Sequence, residues 1–285
     1  MATDSILAGN LFAVKDLVAV ITGGGTGIGL MMARALALNG ASKVYIIGRR
    51  KNVLEEAAAS VTTGNIIPLV GDVTSKDDLS AVVKQIEADV GYVNVVIANS
   101  GILGPQAMVK DATSIEEVQK IFWKPEFDEV VNTFSVNTAG LWYTVLAFLG
   151  LLDKGNQKGN VEQKSQVIAT SSIAGFGRLV PGNYVYGQSK AAVTHMVKQL
   201  ASTLAPYDIR SNAIAPGLYP SELAGPLLAP SNGVFPKTQI PLQRLGNAED
   251  MAGLILFLTS RAGSYLSGAV MITDGGRLSV VPSTY

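Results

Sequence analysis

Three observations predict an α/β fold with a doubly wound parallel sheet of about seven strands. Apolar, mostly β-branched runs alternate with helix-length segments from one end of the chain to the other. The runs are apolar at nearly every position rather than every second one, as strands buried on both faces are. The first of them, Leu17–Ile21, leads directly into Thr22-Gly23-Gly24-Gly25-Thr26-Gly27-Ile28-Gly29, a glycine turn at the mouth of a helix. With 285 residues, 48% of them hydrophobic, the chain can bury a large core. No internal repeat, low-complexity tract or interdomain linker divides it, so residues 1–285 are expected to form one domain.

The elements follow in order. Helix one is expected from Ile28 to Asn39, and strand two over Lys43–Ile47, ending in Gly48-Arg49-Arg50-Lys51. A helix carrying Glu55, Glu56 and an alanine run comes next. Strand three, Asn65–Val70, is closed by Gly71-Asp72-Val73. Ser75 is a candidate N-cap with Asp77 and Asp78 in the first turn, and this helix should reach about Val90. Strand four, Val93–Ala98, ends in Asn99-Ser100-Gly101. Residues 102–125 look irregular. A long helix is expected from Glu126 to Leu152, then a solvated loop from Asp153 to Lys164, read from its charges and from Gly155 and Gly159. Strand five, Gln166–Thr170, runs into Ser171-Ser172. Then come a helix over about Asn183–Leu204, strand six over Ile209–Ala215, a proline-rich stretch from Pro216 to Gly246, a helix from Ala248, and strand seven near Ala269–Ile272.

Composition excludes several classes of function. The formal net charge is zero, so no basic field favours nucleic acid or an anionic membrane. The absence of cysteine removes disulfides, thiolate metal sites and thiol catalysis, and the single histidine, His195, cannot form a histidine cluster. No metal site is expected. The N-terminus lacks the basic and apolar regions of a signal peptide. The most apolar run, Ala139–Leu152, is shorter than the roughly 20 residues a bilayer requires. The expectation is a cytoplasmic protein without membrane partners.

The chemistry starts at the glycine turn. Glycines let backbone approach a ligand closely, and the free N–H groups of a helix N-terminus favour a diphosphate. The spacing is Gly23-x-x-x-Gly27-x-Gly29. A site for NAD places a carboxylate at the end of strand two to bond the ribose 2′-hydroxyl. Here Gly48 is followed by Arg49 and Arg50, and a guanidinium instead suits a 2′-phosphate. That assigns NADP(H) as the cofactor. Further along, Tyr186 and Lys190 stand four apart on a helix and share a face. An ammonium beside a phenol favours the phenolate and tunes the group for proton transfer. Both follow the strand ending in Ser171-Ser172, at the sheet edge where ligands of open α/β sheets bind.

These residues, taken in order, resemble the short-chain dehydrogenase/reductase family over nearly the whole chain: the Thr22–Gly29 turn, Asp72-Val73, Asn99-Ser100-Gly101, Asn137, Ser171-Ser172, Tyr186-x-x-x-Lys190, Pro216-Gly217 and Gly275-Gly276. The branch resembled is the single-domain NADP(H) type with a Rossmann fold, similar to β-ketoacyl reductases. The resemblance implies catalytic roles for Asn137, Ser172, Tyr186 and Lys190. It implies cofactor contacts from Thr22, Gly23, Gly25, Thr26, Gly27, Ile28, Gly29, Arg49, Arg50, Asp72, Val73, Asn99, Ser100, Gly101, Tyr186, Lys190, Pro216 and Gly217. Asp72 would meet the adenine, Lys190 the nicotinamide ribose, and Asn137 a water relay behind the lysine. Three departures stand out. Ala98 replaces an asparagine common in the family, no threonine follows Pro216-Gly217 in register so that Ser221 is the candidate substitute, and Ser172 precedes Tyr186 by fourteen positions where thirteen is commoner. Ser172 is the preferred catalytic serine, with Ser171 cofactor-side or structural.

The expected reaction is NADPH-dependent reduction of a ketone to an alcohol, with Tyr186 as general acid. The alternatives are oxidation of an alcohol by the same steps reversed, and a regulator that binds cofactor without turnover. A substrate lid is expected over about residues 217–246, where Leu218, Tyr219, Leu223, Leu227, Leu228, Val234, Phe235 and Ile240 favour a hydrophobic small molecule. Phe122 and Trp123 are expected to add a wall. Ala139–Leu152 carries large apolar groups all round, which predicts a homodimer or homotetramer interface.

Overall fold

The computed structural model describes residues 3–178, 182–225 and 234–285. Its centre is a seven-stranded sheet in the order β3-β2-β1-β4-β5-β6-β7. The strands are β1 (Val18–Thr22), β2 (Lys43–Gly48), β3 (Ile66–Val70), β4 (Val95–Ala98), β5 (Gln166–Thr170), β6 (Arg210–Pro216) and β7 (Val270–Thr273). Every neighbouring pair is parallel, with Val20 opposite Tyr45 on one side and Val96 on the other. The order reverses at β1, which has β2 on one flank and β4 on the other, and this switch point opens a crevice at the strands' carboxyl ends. Pro68 lies in β3, at the sheet edge, where its missing N–H interrupts no second ladder.

Side chains alternate across each strand, so two cores form. Ala19 and Ile21 of β1 pack with Met32 and Leu36 of α1 (Gly27–Leu38), Leu54 of α2 (Lys51–Ala59) and Ile255 of the last helix. Val18 and Val20 face Val82 and Ile86 of α3 (Lys76–Asp89) together with two long helices. Ser75 caps α3 as expected, its hydroxyl accepting from Asp78 N at 3.1 Å.

The segment expected to be irregular contains α4 (Ile115–Trp123). Its cap is Ser114, whose hydroxyl accepts from Glu117 N at 3.2 Å, while the Glu117 carboxylate accepts from Thr113 N at 2.8 Å. The long helix that follows is α5 (Phe127–Phe134), a π-turn over Ser135–Ala139, and α6 (Gly140–Lys158). It outruns the predicted end at Leu152, and the expected loop from Asp153 is helical to Lys158. Both glycines that signalled a loop serve the helix instead. A Cβ on Gly155 would stand 2.2 Å from the Val93 carbonyl oxygen, so glycine lets α6 press on the start of β4. Gly159, at φ 61°, supplies the left-handed residue that ends the helix. The charges lie outward, where Lys154 pairs with Glu87 at 2.6 Å. By length and composition alone Phe127–Lys158 is long and apolar enough to cross a membrane, unlike the shorter run read from sequence. Its Leu141, Val145, Phe148 and Leu152 lie in the core of this fold. Two further helices are α7 (Tyr184–Leu204) and α8 (Ala248–Thr259), the latter opened by an Asn247–Asp250 capping box, and a single helical turn, Ala8–Leu11, precedes β1.

Candidate active site

A cleft of about 960 Å³ runs along the carboxyl ends of β1–β6. Its floor at one end is the glycine turn. Gly23 and Gly27 have φ of 64° and 53°, conformations that side chains disfavour. A Cβ on Gly29 would meet Gly23 O at 2.2 Å and Asn99 Nδ2 at 2.6 Å, so glycine is what lets α1 start so close to β1 and β4. Thr26, at the N-cap, makes no side-chain capping bond. The first N–H groups of α1 therefore remain for a ligand, and a diphosphate fits them.

Hydrogen bonds tie the strand ends together. Thr22 Oγ1 accepts from Asn99 N at 2.9 Å and Ser100 N at 3.1 Å. Asn99 Nδ2 donates to Thr22 O at 3.0 Å, and Thr170 Oγ1 donates to Asn99 Oδ1 at 3.0 Å. Thr22 thus stands behind the wall of the cleft, while Gly23, Gly25, Thr26, Gly27, Ile28, Gly29, Asn99, Ser100 and Gly101 line it. Ala98, at the end of β4, is buried and needs no side-chain partner there.

Beyond the turn, the cleft is lined by Arg49, Arg50, Asp72 and Val73. Arg49 stands 3.8 Å from Asp72, with 72% of its side chain exposed, and Arg50 pairs at 2.9 Å with Glu222. Desolvation pushes the Asp72 carboxyl up. Hydrogen bonds from Thr74 N and Oγ1, together with Arg49, outweigh that and hold it below the usual carboxylate range.

At the other end Ser172, Tyr186 and Lys190 meet. Lys190 Nζ donates to Thr170 O at 2.7 Å and lies 5.8 Å from the centre of the Tyr186 ring. The Tyr186 phenol lies close enough to Ser172 for the serine hydroxyl to act on its ionisation, and Ser172 Oγ accepts from Ala174 N at 3.1 Å. Ser171 turns away: its Oγ donates to Lys190 O at 2.9 Å and is 2.8 Å from Thr194 Oγ1. Asn137 sits in the π-turn, fully buried. Its Oδ1 accepts from Ile102 N at 2.8 Å, and its Nδ2 donates to Ile102 O at 2.9 Å and Ser189 Oγ at 3.0 Å. It backs the lysine from outside the cleft lining, whereas Pro216 and Gly217 line it. One expectation changes here. The phenol was expected to be drawn down by the ammonium, but burial pushes Tyr186 up, with the Ser172 hydroxyl opposing. Burial lowers Lys190 to about 8.

The substrate side differs from expectation in its walls. Leu218, Tyr219, Leu223 and Phe235 line the cleft, but Ile240 is buried beneath it, Val234 is exposed, and Leu227 and Leu228 lie outside the described residues. Tyr219 is anchored by its hydroxyl, 2.6 Å from Thr273 Oγ1. Ser221 packs on the glycine turn, and its hydroxyl accepts from Ala224 N at 3.1 Å. Phe122 and Trp123 do not line the cleft. The capped α4 carries them on the surface, where Phe122 packs edge-on against Tyr184 at 4.9 Å. The wall comes instead from the C-terminal tail, unassigned in the sequence reading. Arg178 N donates to Pro282 O and Thr284 N to Phe176 O, so the tail runs beside the segment after Ser172, and Arg277, Leu278 and Val281 line the cleft. Gly275 and Gly276, both at positive φ, turn the chain back towards it and were its signal in the sequence. Asn183 and Glu222 were also missed.

Comparison with known proteins agrees with this geometry. A family model described as enoyl-(acyl carrier protein) reductase matches residues 23–277. The chain is 51% identical over 289 residues to the short-chain dehydrogenase/reductase PhomF of Diaporthe leptostromiformis, an alignment covering 99% of this chain and 98% of that protein. A short-chain dehydrogenase/reductase structure from Mycobacterium marinum superposes with a TM-score of 0.81 at 30% identity, covering 94% of this chain and 98% of that one. Two further structures are complexes: RhlG of Pseudomonas aeruginosa with NADP (TM-score 0.77, 25% identity, 93% and 98% covered) and a Brucella melitensis 3-ketoacyl-(acyl-carrier-protein) reductase with NADH (0.75, 27%, 93% and 99%). With the glycine turn, the parallel sheet and this set of side chains at its edge, the chain belongs to the short-chain dehydrogenase/reductase family and is an oxidoreductase of the nicotinamide-cofactor type.

Proposed function

We propose that the protein reduces a ketone of a hydrophobic small molecule to an alcohol at the expense of NADPH. The observation that carries this reading is the convergence of Ser172, Tyr186 and Lys190 in the same cleft as the glycine turn. When bound, the cofactor supplies the hydride. Ser172 and Tyr186 direct two O–H groups at one position, which suits a carbonyl oxygen that gains negative charge as the hydride arrives. Tyr186 then gives its proton to that oxygen. Lys190, held by Thr170 O, keeps positive charge beside the phenol and favours its ionised form as the proton leaves. Asn137 braces Ile102 and Ser189 around the lysine. The reverse, oxidation of an alcohol, uses the same groups with the proton moving to Tyr186.

The choice of NADPH rests on Arg49 and on the lack of a carboxylate at the end of β2. The two solved complexes named above hold NADP and NADH respectively. A second reading is favoured by the description of the matching family model. The same two O–H groups would hold the oxygen of a conjugated enone while its β-carbon takes the hydride. The product separates the two, an alcohol in one case and a saturated ketone in the other. Assembly as a homo-oligomer is consistent with α6, which leaves Trp142, Tyr143 and Leu146 partly exposed on its outer side.

The test is a screen of ketones with NADPH consumption as readout, followed by Tyr186→Phe. That variant is expected to lose roughly 10²–10⁴-fold in turnover with cofactor affinity nearly intact. Turnover within a few-fold of wild type would remove Tyr186 from the mechanism.

A further inference from the structure

Asn183 directly precedes α7, three positions before Tyr186, and lines the cleft. It is the N-cap, where an asparagine side chain ordinarily accepts a hydrogen bond from the second or third helical N–H. This side chain makes no such bond, and the helix begins through the backbone, with Gly187 N donating to Asn183 O at 2.9 Å. Asn183 is 8% exposed, and its Oδ1 is buried without a hydrogen-bond partner. Three other buried side-chain atoms among the described residues share that condition: Ser165 Oγ, Arg210 Nε and Ser211 Oγ. Those lie around the amino ends of β5 and β6. Asn183 alone of the four lines the cleft.

A buried amide oxygen left unpaired costs free energy that a ligand can return by bringing a partner. Ile173, Leu223, Phe235, Leu278 and Val281, which line the same cleft, are apolar, and in an apolar pocket a few polar groups fix the ligand's orientation. We infer that Asn183 reads a hydroxyl carried by the substrate beside the reacting carbonyl, which makes the substrate class a hydroxyketone. A hydroxyl both donates and accepts, so it completes the amide through its oxygen or, after a half-turn of the amide, through its NH₂. Residues three apart at a helix start lie on one face. The hydroxyl therefore belongs within a few bonds of the carbonyl that Tyr186 protonates, on the α- or β-carbon. This rests on the ketone-reductase reading and deepens it.

The experiment compares 1-phenylethanone with 2-hydroxy-1-phenylethanone, in wild type and in Asn183→Leu, which has nearly the same shape. Taking the ratio of ratios cancels the hydroxyl's own activation of the carbonyl. The preference in kcat/KM for the hydroxyketone should fall roughly ten- to a hundredfold in the variant. The loss on the plain ketone should be the smaller of the two, and the melting temperature should hold or rise. A preference unchanged within twofold overturns the inference. So does an equal loss on both ketones with a lowered melting temperature, the mark of a structural cap. If wild type reduces neither ketone, the reductase reading is judged separately by the wider screen, and both ketones are titrated calorimetrically into the NADP⁺-loaded protein. Tighter binding of the hydroxyketone that Asn183→Leu abolishes sustains the role of Asn183, whereas equal or absent binding overturns it.

Discussion

Arg49→Ala tests cofactor choice where the structure makes the outcome least obvious. Arg49 is largely exposed and already has a partner, the Asp72 carboxylate at 3.8 Å. A 2′-phosphate must share or displace that partner. A hydrogen bond to a charged group contributes about 1.5–3 kcal/mol, and exposure reduces this to about 1–2 kcal/mol. At about 1.4 kcal/mol per decade, Arg49 then favours NADPH over NADH by roughly five- to thirtyfold. Removing it also leaves Asp72 without its cation, and a bare carboxylate repels the phosphate. Arg49→Ala should therefore lose the full preference, by a rise in KM for NADPH with kcat and NADH use little changed. The assay is steady-state kinetics with both cofactors at low ionic strength, repeated at high salt, where the difference should shrink because an exposed ion pair is screened. A wild-type protein that uses NADH as well as NADPH, or a variant whose ratio stays within twofold, would refute the assignment. Arg50 is not expected to compensate, since Glu222 holds it at 2.9 Å.

Two further outcomes follow from burial and close packing. Burial lowers Lys190 to about 8, so the ammonium is lost above that pH, and ketone reduction should show a falling limb near pH 8; a profile flat to pH 10 would contradict it. The sign for stability is opposite: between about pH 8 and the unfolded lysine's 10.5 only the unfolded state holds the proton, so this group's contribution to stability rises with pH there, and chemical denaturation at pH 8 and 10 reads it. Gly155→Ala should destabilise by about 1–3 kcal/mol through its clash with the Val93 carbonyl, whereas Gly150→Ala, with nothing within 4 Å, should stabilise by about 0.5–1 kcal/mol. Equal melting temperatures for the two variants would show that α6 does not press on β4.

What the sequence made legible was set by short-range physics. The β-strands declared themselves by apolar runs, and Ser75 by its acidic first turn. The glycine turn was legible because only glycine suits both positive φ at Gly23 and Gly27 and the close approach at Gly29. Errors came where one residue type serves two ends. Gly155 and Gly159 resemble a loop in sequence, but one permits helix–strand contact and the other terminates the helix. Helix α4 was missed although Ser114-x-x-Glu117 carries a capping signal. The substrate walls were not legible at all. Whether Phe122 or Val281 faces the cleft depends on tertiary packing, namely the pairing of the tail with Phe176 and Arg178.

The fourteen-residue spacing between Ser172 and Tyr186 shows how such a site tolerates a change in length. Ser172 caps the short turn Ile173–Gly175 through its own hydroxyl, which fixes the serine from within its loop. At the far end of that turn, a Cβ on Gly175 would stand 2.9 Å from the Ala191 nitrogen and the Lys190 carbonyl carbon. The turn is thus pressed on the backbone of the helix that carries both Tyr186 and Lys190. Ser171 closes the other side through its bond to Lys190 O. The serine is therefore positioned against α7 on both sides by contacts to the residues around Lys190. These contacts all lie outside residues 176–182, so the length of that stretch does not enter them. Asn183 starts the helix that carries Tyr186 and so keeps its place with the tyrosine and lysine, while variation in the stretch before it bears on the wall that Phe176 and Arg178 form with the tail.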